Sequence, residues 1–130
     1  MRCLLDTHTF VWAVQQPTLL SHTATQLLEN PATQVFVSAF SVWEMSIKHQ
    51  LGKWREVAAF MDDDLYTNFL LRLNATELEI SSRHARLAGQ FSTAHKDPFD
   101  RLLAAQAILE GMPIISKDPL LESFGVTRVW

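Results

Sequence analysis

"KDPFDRLLAAQAILEGMPIIS" (96–116) decides the fold. Asp97 is a good helix N-cap, and Pro98 suits the first helical position, where its missing N–H costs nothing. Gly111 suits the left-handed residue that follows a last turn. Between them lies an alanine- and leucine-rich body, and beyond it "PIIS" reads as a short apolar strand. A capped helix feeding an apolar strand is half of a strand–helix–strand unit.

The same alternation extends in both directions. Residues 2–5 read as a buried strand, "THTFVWAVQQP" (7–17) as a helix closed near Pro17, and "SHTATQLLENP" (21–31) as a helix between a Ser21 cap and Pro31. "QVFVS" (34–38), β-branched and aromatic, is a second strand. The spacing predicts a helix over "SVWEMSIKHQLG" (41–52), with Ser41 as cap, Glu44 completing a capping box and Gly52 at the end. A further helix is expected over about 55–70. A strand in "TELEIS" (76–81), a helix in "SRHARLAGQF" (82–91) terminated by Gly89, and a last strand in "VTRVW" (126–130) complete the pattern. Strands alternating with helices predict an α/β protein whose mostly parallel sheet is covered on both faces.

At 130 residues, 48% of them hydrophobic and only four glycine, the chain is expected to be one globular domain over 1–130. The single cysteine, Cys3, excludes an intramolecular disulfide and reads as a core side chain. With no secretory leader visible, a cytoplasmic location is expected. No apolar run approaches the roughly 18–20 residues needed to span a bilayer, so no membrane association is expected. The formal net charge of -3 argues against a protein that simply coats nucleic acid. An enzyme that meets phosphate through divalent metal ions escapes that objection, because the ions supply the positive charge.

Four acids occupy comparable junctions. Asp6 follows the first strand, Glu44 lies early in the helix after "VFVS", Asp100 begins the helix of "KDPFDR", and Asp118 follows "PIIS". In a parallel sheet, ligands bind beyond the carboxyl ends of the strands, so all four can converge there. Clustered carboxylates repel one another and retain protons unless a cation intervenes; oxygen-only ligands suit Mg²⁺ or Mn²⁺. A water made acidic by such a metal can attack a phosphodiester phosphorus. Each acid also has an ordinary use: Glu44 in the capping box or paired with Lys48, Asp100 at the helix dipole, Asp97 as the cap, Asp118 opening a turn before Pro119. Asp6 alone lacks a routine structural role.

Other features point less far. Asp62, Asp63 and Asp64 fan out by about 100° each on a helix and read as a solvated face. His8, His22, His49, His84 and His95 form no zinc-ligand pattern. Ser38 and Ser41 sit in no nucleophile elbow. Trp12, Trp43, Trp54 and Trp130 read as core or interface residues, and Thr7 as either a helix cap or a group orienting Asp6. A small phosphatase with Asp6 as nucleophile would want a second acid where His8 stands.

Taken together, "LLDTHTFVWA", "VSAFSVWEMSIKHQLGKW", "HKDPFDRLLAAQAILEGMPIISKD" and the terminal "VTRVW" resemble a PIN-domain ribonuclease of the VapC toxin type, over nearly the whole chain. The resemblance implies a three-layer α/β/α sandwich and an Mg²⁺- or Mn²⁺-dependent endoribonuclease acting on RNA. It also implies inhibition by a cognate VapB-type antitoxin, and a homodimer. Matched by motif, Asp6, Glu44 and Asp100 become metal-binding acids and Asp118 the fourth catalytic acid, with Glu122 as its alternative. Ser116 stands where such proteins typically carry threonine. Lys48, Lys53, Lys96 and Arg101 become candidates for contacts with RNA. A catalytically silent interaction module of the same fold, or another metal-dependent phosphohydrolase, is the competing expectation.

Overall fold

The computed structural model describes every residue, Met1–Trp130. Five short strands, β1 (Arg2–Leu5), β2 (Gln34–Ser38), β3 (Ala75–Leu78), β4 (Ile114–Ile115) and β5 (Arg128–Val129), form one sheet in the order β3-β2-β1-β4-β5. Every pairing is parallel, with Leu5 opposite Val37 on one side and Ile115 on the other. Six α-helices connect them: α1 (Thr7–Gln15), α2 (His22–Glu29), α3 (Ala39–Gln50), α4 (Asp63–Arg72), α5 (Ser82–Gln90) and α6 (Pro98–Glu110). No helix is long and apolar enough to cross a membrane.

The strand pleat sorts the apolar residues into two cores. Cys3, Leu5, Val35, Val37 and Ile115 face one side, where Phe10, Val11, Met45 and Phe60 cover them. Leu4 and Ile114 face the other, against Phe40, Leu103, Ala104 and Ala107. Because both faces are buried, the strands read as unbroken apolar runs, and a three-layer α/β/α sandwich results. Full burial of a side chain such as Phe10 contributes about 1.5–3 kcal/mol.

Strand order locates the site. The chain steps outward from β1 through β2 to β3, then returns to the far side of β1 as β4. Connections leave the adjacent carboxyl ends of β1 and β4 in opposite directions, which opens a crevice there. Asp6 and Ser116 are the first residues beyond those two strands.

Several boundaries differ from the sequence reading. Helix α3 starts at Ala39, because β2 runs into it without a loop and Ser38, not Ser41, is the cap: Phe40 N–H donates to Ser38 Oγ at 3.2 Å. Ser41 is buried inside the helix, so Glu44 closes no capping box. The helix expected over 55–70 breaks at Asp62, which caps α4 by accepting from Leu65 N–H at 2.9 Å; before it, Arg55–Met61 is a 3-10 helix. Gly89 lies inside the last turn of α5 and does not end it. Gly52 and Gly111 do take the left-handed conformation, with φ of 70° and 65°. None of the four tryptophans belongs to the buried core of the chain, and Trp43 is 57% exposed.

Candidate active site

With β1 ending at Leu5 and α1 beginning at Thr7, Asp6 is the whole connection. It therefore has a structural use that the sequence reading missed: it is the N-cap of α1, its Oδ1 accepting from Thr9 N–H at 2.7 Å. Its Oδ2 accepts from the Ser116 hydroxyl across the β1–β4 boundary, and Ser116 Oγ accepts in turn from Asp118 N–H at 3.0 Å. Burial pushes the Asp6 carboxyl above the usual carboxylate range, against the hydrogen bonds from Ser116 and Thr9 and the nearby His8, which pull it down.

Glu44 is buried in the body of α3. Thr7 Oγ1 stands 2.7 Å from Glu44 Oε1 and 3.0 Å from Ser41 Oγ. The threonine has one proton to give, so it donates to the carboxylate and accepts from Ser41. Lys48, one turn on, donates to Glu44 Oε2 at 2.5 Å, the i,i+4 pair legible in the sequence. Thr7 is therefore no cap; it orients Glu44.

Asp100 sits in the first turn of α6, with Asp97 capping the helix by accepting from Phe99 and Asp100 N–H. Asp100 Oδ2 is 2.7 Å from His95 Nε2. Burial again raises its pKa, the hydrogen bond from His95 lowers it, and the like charges of Asp97 and Asp118 add to the upward push. Asp118 caps the 3-10 helix Pro119–Phe124 by accepting from Leu120 N–H at 2.9 Å.

These side chains line one cavity of about 180 Å³ with Asp6, Glu44, Asp97, Asp100 and Asp118 in its wall, alongside Thr7, His8 and Lys48. Glu122, the alternative fourth acid, is outside it and pairs with Arg128 at 2.8 Å. Arg101 does not face the cavity; its guanidinium donates to the carbonyls of Ala88, Phe91, Thr93 and His95. That cation is spent on pinning the 91–97 segment, a use with no local sequence signature. The role of Ser41 is hidden in the sequence by a competing cap three residues earlier, Ser38. A larger hollow of about 420 Å³, by Met112, Pro113 and Val126, contains no acid.

The donor set suits a hard divalent cation, since the acids are oxygen ligands and their mutual repulsion is what such an ion relieves. No three of them stand close enough to close a ready coordination sphere. Asp6, Glu44 and Asp100 each accept from protein donors that orient them, and each carboxylate keeps lone pairs beyond those bonds, Asp100 Oδ1 having no hydrogen-bond partner, so the acids are positioned without being used up.

A PIN domain family model matches residues 3–125. By sequence, no curated protein matches this chain. Among solved structures, the chain is similar to VapBC2 from Rickettsia felis bound to a DNA fragment from its promoter (16% identity, TM-score 0.70, covering 99% of this chain and 98% of that one). It is also similar to VapC20 of Mycobacterium tuberculosis, a sarcin–ricin loop cleaving toxin (13%, TM-score 0.65, 98% of each chain). A third is VapBC-1 from nontypeable Haemophilus influenzae (14%, TM-score 0.64, 99% and 97%). At these identities the likeness is one of fold.

Proposed function

The chain belongs to the PIN domain family, and from that premise we propose that it is a metal-dependent endoribonuclease, the toxin of a type II toxin–antitoxin pair. The observation that carries the reading is the convergence of Asp6, Glu44, Asp100 and Asp118, from four separate elements, on one cavity at the carboxyl ends of β1 and β4. The toxin assignment is supported by the likeness to VapC20 and to the VapBC proteins.

Asp6 and Asp100 are the principal ligands for Mg²⁺ or Mn²⁺, with Glu44 beside them. When bound, the ion supplies positive charge for the phosphate and lowers the pKa of water. The chain's own residues do the positioning. Ser116 and Thr9 hold the two oxygens of Asp6, so the carboxylate rotates little. Thr7 and Lys48 fix Glu44, and Lys48 leaves a cation at the cavity wall where a phosphate oxygen is stabilised. Asp118 shares the wall and serves as the fourth acid, positioning a water or a further ion. A cognate VapB-type antitoxin and a homodimer belong to the same reading.

Partner-free protein incubated with a mixed cellular RNA pool is expected to yield discrete fragments in Mg²⁺ or Mn²⁺, none in EDTA and none from folded Asp6→Asn. Equal cleavage by Asp6→Asn overturns the assignment. No cleavage at all from folded protein favours a silent interaction module.

A further inference from the structure

Beside the acidic cavity lies a second hollow, of about 290 Å³, lined by four residues only: His8, Lys48, Lys53 and Trp54. It contains no acid. His8 and Lys48 line both spaces, so the two adjoin. The first is a wall of carboxylates; the second is cationic and aromatic.

Its construction follows from local structure. Helix α3 ends at Gln50, and Gly52, at a φ of 70°, turns the chain back so that Lys53 N–H donates to the Lys48 carbonyl at 2.9 Å. This brings Trp54 against the start of α1, where it packs on the core and stacks with His8, ring centroids 4.5 Å apart and planes 22° from parallel. Lys48 Nζ lies 5.6 Å from the Trp54 ring centroid while bound to Glu44. Lys53 is exposed and has no carboxylate within ion-pairing distance. His8 is exposed too, and its ring makes no hydrogen bond and is not part of the buried core.

We propose that His8, Lys53 and Trp54 form a nucleotide subsite of the same active site, taking a base of single-stranded RNA on the aromatic stack and its phosphate on Lys53. The proposal rests on the ribonuclease reading for its ligand class. The chemistry is that of single-strand recognition, in which a base lies on an aromatic face and a cation follows the backbone. An aromatic shelf fixed to the core, with a spare cation at its rim and the acidic cavity next door, holds the nucleotide flanking the scissile phosphate.

The test is fluorescence anisotropy with a labelled single-stranded RNA hexamer, in Ca²⁺, with a gel confirming that the probe stays intact. His8→Ala and Lys53→Gln alter exposed residues and are checked for folding by circular dichroism. Each is expected to weaken binding, His8→Ala by about 10-fold, on the scale of losing one base–aromatic contact. A set of hexamers each abasic at one position then locates the contact: at one position the effect of His8→Ala should vanish, because the base it stacks on is already gone. Binding within twofold of wild type for both variants overturns the proposal. So does a His8→Ala loss that is equal for every abasic probe, which would mean a general electrostatic effect. Position-specific coupling without any Mg²⁺- or Mn²⁺-dependent cleavage sinks the nuclease reading and leaves the subsite standing; cleavage without coupling does the reverse.

Discussion

Replacing Asp6 by asparagine is expected to leave the protein at least as stable at neutral pH, although it removes the residue on which activity is proposed to depend. The Ser116 hydroxyl, which donates to Asp6, can turn to accept from an asparagine amide, so two other effects decide the outcome. As N-cap, Asp6 accepts from Thr9 N–H; asparagine keeps a carbonyl oxygen there and caps equally well, whereas alanine forfeits about 1 kcal/mol. For a chain of this length that is roughly 3–5 °C in Tm. The second effect is charge. Burial raises the folded-state pKa of Asp6, so its contribution to stability is fully present below the unfolded carboxylate value of about 4 and is lost as pH rises through the folded value. At pH 7 the ionised group works against the fold, and asparagine removes that cost. Thermal unfolding of wild type, Asp6→Asn and Asp6→Ala in EDTA between pH 4 and 8 should therefore rank Asn at or above wild type at pH 8, with Ala below Asn throughout. The advantage of Asn over wild type should shrink as pH falls towards the unfolded carboxylate value of about 4. Asparagine as unstable as alanine at pH 8, or a gap indifferent to pH, would refute the reasoning.

Two further outcomes follow from groups outside the cavity. Arg101→Lys keeps the charge but loses the planar fork that reaches four carbonyls; a loss of about 1.5–3 kcal/mol is expected, read as a lower urea midpoint with faster amide exchange over 91–97, and unchanged exchange there would remove the clamp from the account. Cys3 is buried and its thiol is pushed up to about 11, chiefly by burial; iodoacetamide at pH 8 should label it only after denaturant is added, and rapid labelling of native protein would contradict its placement.

What was legible in the sequence is what local chemistry determines. Asp97, Pro98 and Gly111 mark both ends of α6, and apolar runs mark β1, β2 and β4, because caps and burial on both faces leave a trace in residue type. Failures came where one local signal had two outlets. Both Ser38 and Ser41 are good caps, and only the direct run of β2 into α3 selects the first. The capping role of Asp6 is masked in the sequence by Thr7 beside it, a residue type that caps equally well. The acids themselves were readable as junction residues, since a parallel sheet delivers such residues to one edge. Their partners were not: Ser116 meets Asp6 only through the β1–β4 pairing, across 110 residues of sequence, and Arg101 spends its charge on carbonyls that carry no side-chain signature.

The division of charge around the crevice reconciles a net charge of -3 with the proposed RNA substrate. Of the acids in the cavity wall, Glu44 is neutralised by Lys48, while Asp6 and Asp100 stay poorly solvated and shifted upward. Those two are the sites at which a divalent cation gains most, because the folded protein has already made their ionised forms unfavourable without a counter-charge. The cation next door that is not spent on an acid, Lys53, lies on the aromatic rim. It gives a phosphate a point of attachment beside the place where cleavage is proposed. A weakly salt-dependent affinity is the consequence: a protein that engages one or two phosphates through lysine should show a log Kd against log salt slope of only about 1–2, and a slope several times steeper would mean that RNA is held on some other face.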